Sequence, residues 1–407
     1  MSERARIGLL GLGTVGAAFA DLVAARAGAV EQACGRRPEI SGVLRRSEGD
    51  FDEILAGSDL IVELMGGIDP ARDHVLAALE AGKSVVTANK QLVAQFGDEL
   101  FAAARSAGVQ LRFEAAVAGA IPIIRVVNES LGALEIDRVS GIVNGTTNFI
   151  LSEMTATGAD YAETLARAQD LGYAEPDPTE DVNGADAAAK MAILARLVFD
   201  TQVGLEDVSY EGIEEIRPDD IAYAKELGLS LKLLGVAERH DDAISIRVFP
   251  CFLYRGHPLA PVEGPFNAVT VEAPAITEIT MSGPGAGGPE TAASVLGDVV
   301  SILAGEAPVP VPSRRLPVHT DLESSFYLHL EVADRPGVLA ATAEVIGRHG
   351  ISVKSVVQHG MGDDARLVMV MHRARETAFR EAVAEIAELE FMRAAPRALR
   401  VVEEEYV

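Results

Sequence analysis

The sequence predicts an α/β chain of three unlike parts, and three observations carry that prediction. In the first part, short apolar runs alternate with helical patterns: RIGLLGLG, ISGVL, DLIVELMGG, SVVTANK and VQLRFEAAV. Such alternation predicts a doubly wound parallel sheet. From about Ile136 the runs become EIDRVSGIV, AISIRVFPCFLY, NAVTVEA and ITEITMSG, which predict a mostly antiparallel sheet with helices around 178–199 and 221–234 against it. After a Pro-rich polar stretch, the segments from FYLHLEVA to ALRVVEE give strand, helix, strand, strand, helix, strand. That order is the ferredoxin-like motif. The expected division is a nucleotide domain at 1–132, completed by about 285–305, an α+β domain at 133–284, a linker at 306–324 and a small domain at 325–407.

Composition narrows the partners. The 407 residues carry a formal net charge of -26, which argues against nucleic acid or an anionic membrane, since both demand a basic face. No apolar run reaches the length of a membrane span. The chain enters a strand almost at once, without the pattern of a signal peptide. Cys34 and Cys251 lie far apart and fit no metal or disulfide framework. A soluble cytoplasmic protein is expected.

Gly11-Leu12-Gly13-Thr14-Val15-Gly16 follows the first strand and opens a helix. A lone GxGxxG can be a mere glycine-rich turn. At the head of the first βαβ unit it predicts a dinucleotide site, with Gly11, Gly13, Thr14, Val15 and Gly16 around a pyrophosphate at the helix N-terminus. The second strand ends in Arg45-Arg46-Ser47, where NAD-preferring sites usually place an acid. Unless both arginines simply face solvent, Arg45 suits a 2′-phosphate, so NADP is expected ahead of NAD. Thr87-Ala88-Asn89-Lys90 ends a parallel strand at the edge where open sheets bind ligands. Lys90 there is a surface lysine or a partner for phosphate or carboxylate.

The most informative segment is AQDLGYAEPDPTEDVNGADAAAK, Ala168 to Lys190. Asp177-Pro178-Thr179-Glu180 reads as a helix start, with an acidic cap and Pro at the first helical position. On the helix that follows, Asp186, Lys190, Ile193 and Leu197 share one face. An acid and an amine one turn apart on an apolar stripe are a solvated pair or a buried pair with a task. Asn144-Gly145-Thr146-Thr147-Asn148 closes the strand DRVSGIV with a polar loop, suited to a small polar molecule or to capping a helix.

These motifs resemble the homoserine dehydrogenases. The resemblance rests on Ala168, Gly172, Glu175, Pro178, Asp181, Gly184, Asp186 and Lys190, and on ELMGG, TANK, EAAVAGAIP, NGTTN and GPGAGG, across nearly all of residues 7–305. It implies NAD(P)-dependent interconversion of L-homoserine and L-aspartate 4-semialdehyde. Lys190 would move the proton, with Lys90 near the nicotinamide and substrate, and Thr87 and Gly285 beside the cofactor. Gly145, Thr146, Glu175, Asp181 and Asp186 would bind the substrate. The resemblance also implies a structural monovalent cation, Na⁺ by expectation, on Glu114 and the backbone oxygens of Val117, Gly119 and Ile121. The rival readings are a dehydrogenase of another small amino acid and a non-catalytic sensor of dinucleotide and amino acid; both lysines speak against the sensor.

Residues 325–407 resemble an ACT domain. Asp334-Arg335-Pro336-Gly337 joins a strand to a helix and offers free N–H groups to a carboxylate. The resemblance implies L-threonine as feedback effector and a homodimer or homotetramer. The linker at 306–324 favours a separable regulator, so truncation after Ala304 is expected to leave an active enzyme that threonine no longer inhibits.

Overall fold

The computed structural model describes residues 3–310, 312, 314–360 and 365–402; Glu403 and Glu404 of the expected last strand lie outside them. Five parallel strands open the fold: β1 (Glu3–Leu10), β2 (Arg36–Leu44), β3 (Leu60–Glu63), β4 (Ser84–Thr87) and β5 (Leu111–Arg112). They lie in the order β2-β1-β3-β4-β5. Their side chains alternate between two apolar layers. Ile7, Leu9, Val62 and Val86 pack under the helices Thr14–Cys34 and Gly288–Ala304. Leu10, Ile61 and Val85 pack under Ala71–Glu80 and Lys90–Ala107 on the other face. This is a Rossmann-like, doubly wound sheet. The helix Gly288–Ala304 comes from far along the chain yet touches Thr14–Cys34 closely, because Gly288 has only hydrogen facing Thr14.

The second sheet contains β6 (Arg138–Ile142), β7 (Ser209–Tyr210), β8 (Leu229–His240), β9 (Ala243–Tyr254), β10 (Phe266–Ala273) and β11 (Thr277–Pro284). The order β11-β10-β6-β8-β9 is antiparallel throughout. One sequence expectation fails here. The helix expected over 221–234 is confined to Pro218–Glu226, and Gly228 turns the chain at φ +74° into β8. Leu231 and Leu233 face the helices while Leu234 and Val236 face the opposite layer. A strand buried on both faces loses its alternation, so its apolar run mimics a helix. The helix expected through 178–199 is also two pieces, Thr179–Val182 and Ala185–Val198. Gly184 separates them at φ +89°, where a side chain would strike Glu211 O.

The last unit is β12 (Glu323–Val332), β13 (Val353–His359), β14 (Ala365–Met371), β15 (Ala374–Arg375) and β16 (Arg397–Val402), with helices Val338–Arg348 and Glu376–Ala387 over one face. Its order, β16-β12-β14-β13, continues the second sheet, because β16 pairs in parallel with β9. The two units therefore share one sheet of eleven strands. The segment before β12 is held along its course. Ala307 O accepts from Arg112 (2.7 Å), Arg314 O from Gln202 N (2.7 Å) and Pro317 O from Ile244 N (2.9 Å). Beneath the small sheet, buried Asp220 of helix Pro218–Glu226 accepts from Arg397 (3.1 Å) and lies 3.0 Å from His329 Nδ1.

Candidate active site

Each glycine of the first turn has its own reason to be glycine. Gly11 sits at φ +98°, and a Cβ there would lie 2.5 Å from Leu64 O. A Cβ on Gly16 would lie 2.1 Å from Gly11 O. Gly13 faces open space, which leaves the turn bare on its outer side. Gly13 and Gly287 precede the helices Thr14–Cys34 and Gly288–Ala304, and neither helix has a side-chain cap. Two positive helix ends thus meet beside the bare turn, the arrangement that receives a pyrophosphate. Val15 is half-buried in the first turn of its helix. Gly11 N donates to Leu44 O (2.9 Å), which brings Arg45 to the edge of this surface. Arg45 is exposed and pairs with exposed Glu48 at 3.1 Å; Arg46 is exposed too.

The edge of the parallel sheet is locked by a buried acid. Glu63 accepts from the Thr87 hydroxyl (2.5 Å) and from the N–H groups of Met65 (2.7 Å) and Gly66 (3.3 Å). Burial pushes its carboxyl up, against these hydrogen bonds. Thr87 therefore faces Glu63 in the interior and fixes the turn. Asn89 caps the helix Lys90–Ala107 by accepting from Leu92 N, and donates to Gly67 O (2.6 Å).

Lys90, delivered by that cap, reaches across to the second domain. Its amine contacts Asp186 Oδ1, while Lys190 Nζ lies 2.7 Å from Asp186 Oδ2. Asp186 is 1% exposed. Burial disfavours its charge, yet Lys190 and Lys90 together hold the carboxyl well below the usual range. Burial likewise disfavours the Lys90 ammonium, and Asp186 overrides it, so the amine stays charged. Lys190 also donates to Val143 O (2.7 Å). Asn144 completes the cluster: its amide donates to Asp181 (2.7 Å) and Asp186 (2.9 Å), and its oxygen accepts from Thr147 N (2.8 Å). Two amines converge on one carboxylate, and their remaining N–H donors suit an oxygen that gains negative charge.

The other expected residues lie around this cluster in different ways. The break at Gly184 lets Asp181 reach Asn144, which one continuous helix would have prevented. Gly145 begins the helix Gly145–Thr157, where a Cβ would lie 2.7 Å from Pro265 O. The Thr146 hydroxyl donates to Tyr173 O (2.7 Å), tethering the loop that carries exposed Glu175. Gly285 stands against Asn267 and against Gly119, where only glycines fit. Glu114 is buried; it accepts from Ile124 N (2.8 Å) and Arg125 N (2.9 Å). Burial and neighbouring Asp298 push its carboxyl up to about 7. Ala118 and Gly119 both take positive φ, and Gly119 O accepts from Ser294 (2.7 Å). The sequence marks Asn144 as part of a polar loop or a helix cap, but not as the amide that joins Asp181 to Asp186.

Comparison with known proteins fits this geometry. Residues 122–300 match the family model "Homoserine dehydrogenase", residues 11–114 "Homoserine dehydrogenase, NAD binding domain", and residues 327–391 "ACT domain". The chain is 43% identical to the homoserine dehydrogenase of Mycobacterium tuberculosis, covering 97% of each, and 45% identical to that of Corynebacterium glutamicum, covering 91% and 89%. Among solved structures, a homoserine dehydrogenase from Thiobacillus denitrificans superposes with a TM-score of 0.95 at 35% identity, over 99% of this chain and all of the other. A hyperthermophilic archaeal homoserine dehydrogenase in complex with NADPH gives 0.66 at 25%, over 75% of this chain and all of the other. Among the described residues no helix is long and apolar enough to cross a membrane. With its dinucleotide turn, its lysine–aspartate–lysine cluster and its C-terminal ACT domain, this chain belongs to the homoserine dehydrogenase family of oxidoreductases.

Proposed function

We propose that the enzyme interconverts L-homoserine and L-aspartate 4-semialdehyde with NADP, and that Lys190 handles the proton. The observation that carries the assignment is Asp186 held between two amines. When bound, the cofactor supplies or takes the hydride. Its pyrophosphate would rest on Gly11, Gly13, Thr14, Val15 and Gly16, with Gly285 and the Thr87 turn near the nicotinamide end. Arg45 would exchange its exposed pairing with Glu48, worth little in water, for the 2′-phosphate. The NADPH named for the archaeal relative supports that choice.

In reduction of the aldehyde, Lys190 as an ammonium donates a proton to the oxygen. In oxidation, it accepts the hydroxyl proton as a neutral amine. Lys90 stays charged beside it and steadies the negative oxygen. Asp181 and Glu175 grip the substrate ammonium, while Thr146 and the helix start at Gly145 receive its carboxylate. Asp186 aligns both lysines. Aldehyde-dependent NADPH oxidation, followed by absorbance, tests the assignment; failure with either cofactor ends it.

The donor set Glu114, Val117 O, Gly119 O and Ile121 O is all hard oxygen, which suits a monovalent cation such as Na⁺. A buried carboxyl displaced to about 7 gains from such a neighbour. The ion would hold the 114–122 turn and take no part in the proton or hydride steps.

L-threonine is the proposed effector of the ACT domain. A cavity of about 430 Å³ lies over Gly337 and the start of helix Val338–Arg348, walled by Asp334, Arg335, Leu339 and Gln358. Gly337 leaves that helix start without a side-chain cap, ready for a carboxylate. We infer a homodimer or homotetramer as the working assembly, from the family resemblance.

A further inference from the structure

A cleft of about 490 Å³ opens at the seam between the catalytic sheet and the ACT domain, and none of its walls belongs to the lysine–aspartate site. Its floor is a row across three strands. Ser140 of β6 pairs with Val236 of β8, and Val236 pairs with Arg247 of β9, so all three point the same way. Arg400 of β16 forms part of the ACT wall.

The cations here are not equally provided for. Arg400 is held by Glu211 (2.9 Å) and by Glu376, and Arg138 by Glu272 (3.1 Å). Arg247 stands apart. It is 8% exposed, and its Nε and Nη1 are buried with no hydrogen-bond partner among the described residues. Ser140 is 3% exposed, and its hydroxyl is also buried without a partner. Glu238 and Glu376 balance part of the Arg247 charge and its guanidinium lies 5.2 Å over the Phe249 ring, but neither contact supplies an acceptor to these two N–H groups, and buried donors are nearly always satisfied. Two donors without acceptors, on either side of Val236 in the floor of one cleft, imply an acceptor that belongs between them.

We propose that this cleft binds a small carboxylate anion, held by the Arg247 guanidinium and the Ser140 hydroxyl, at the seam of catalytic and regulatory units. A planar carboxylate matches the guanidinium fork. Glu238, Glu272 and Glu323 also line the cleft and repel a larger charge, which disfavours phosphate groups. Because floor and wall come from different units, occupancy strengthens their contact and favours the docked state.

The test is thermal unfolding of the full chain in sodium acetate against sodium chloride of equal ionic strength. Acetate is expected to raise Tm saturably in the millimolar range, and Arg247→Met to abolish the rise. Without acetate, Arg247→Met should unfold little earlier than the parent, since it removes two buried N–H groups that have no acceptor. Ser140→Ala keeps the arginine and should weaken acetate binding severalfold, which gives a reading even if the arginine variant misfolds. The proposal is overturned if acetate adds nothing beyond chloride, or if both variants respond like the parent. A larger response to inorganic phosphate than to acetate would overturn the carboxylate assignment.

Discussion

Lys190 Nζ and Asp186 Oδ2 lie 2.7 Å apart, one helical turn from each other, and the same carboxylate contacts Lys90 from the other domain. The lysine–aspartate–lysine cluster is therefore also a contact between domains. Lys190→Ala should lower kcat at least about 10²-fold, the lower scale of a lost general acid or base, while Asp186 keeps Lys90 as partner. Turnover near that of the parent would show Lys190 to be structural.

Asp186→Asn tests the carboxylate separately. Semialdehyde reduction puts negative charge on an oxygen, and the carboxylate is what favours, against burial, the charge on Lys90 that steadies it. Loss of the carboxylate should lower kcat and move the alkaline limb of the reduction profile to lower pH. An unchanged limb with lower kcat would assign Asp186 a purely geometric part.

Much of this site was legible in the sequence, and the illegible remainder has one cause. Asp186 and Lys190 share a helix, so spacing alone put them on one face. The glycine turn was equally local. Lys90 lies 96 positions from Asp186 by numbering, and only the packing of helix Lys90–Ala107 on Ala185–Val198 joins them. The two strands β8 and β16 were opposite cases: β8 was hidden because both its faces are apolar, whereas β16 was visible but its partner β9 was not. A tethered ACT domain and a docked one read alike along the chain, since the difference is a backbone ladder.

The proposed preference for NADP rests on Arg45. Arg45→Glu should lower kcat/KM for NADPH at least about tenfold, a loss of about 1.4 kcal/mol, and leave NADH much less affected. Measuring both cofactors with parent and variant decides it. A tenfold preference of the parent for NADH would sink the assignment.

The cation proposal makes a prediction in pH. Burial and Asp298 raise the Glu114 carboxyl to about 7, so without a cation this group weakens the fold as pH rises from the ordinary carboxylate range through 7. A cation binds the ionised form and competes with the proton. Sodium should thus raise Tm more at pH 8 than at pH 5.5, measured against a tetramethylammonium buffer. An increment independent of pH, or absent at both, rules out Glu114 as the ligand.

The proposed control by threonine must pass through contacts that differ between active and less active states, because a ligand with equal affinity for both shifts nothing. Among the contacts that connect the ACT sheet to the catalytic unit, two are central: the β9–β16 ladder and the buried cluster of Asp220, His329 and Arg397, beside outer pairs such as Glu211 with Arg380 and Arg400. Truncation after Ala304 removes both and bares the edge of β9, so it cannot separate signalling from stability. Asp220→Asn is the cleaner change. Burial opposes the Asp220 charge, but His329 and Arg397 hold its carboxyl below the usual range, so its support is present above about pH 4 and fades below. Removing that charge should weaken the seam by about 3 kcal/mol, the scale of a broken buried pair. Threonine binding by calorimetry should persist, since the cavity over Gly337 is untouched, while inhibition at saturating threonine should fall. Inhibition equal to the parent's would remove the cluster from the signalling route. A parent enzyme that neither binds threonine nor slows in its presence would remove threonine itself.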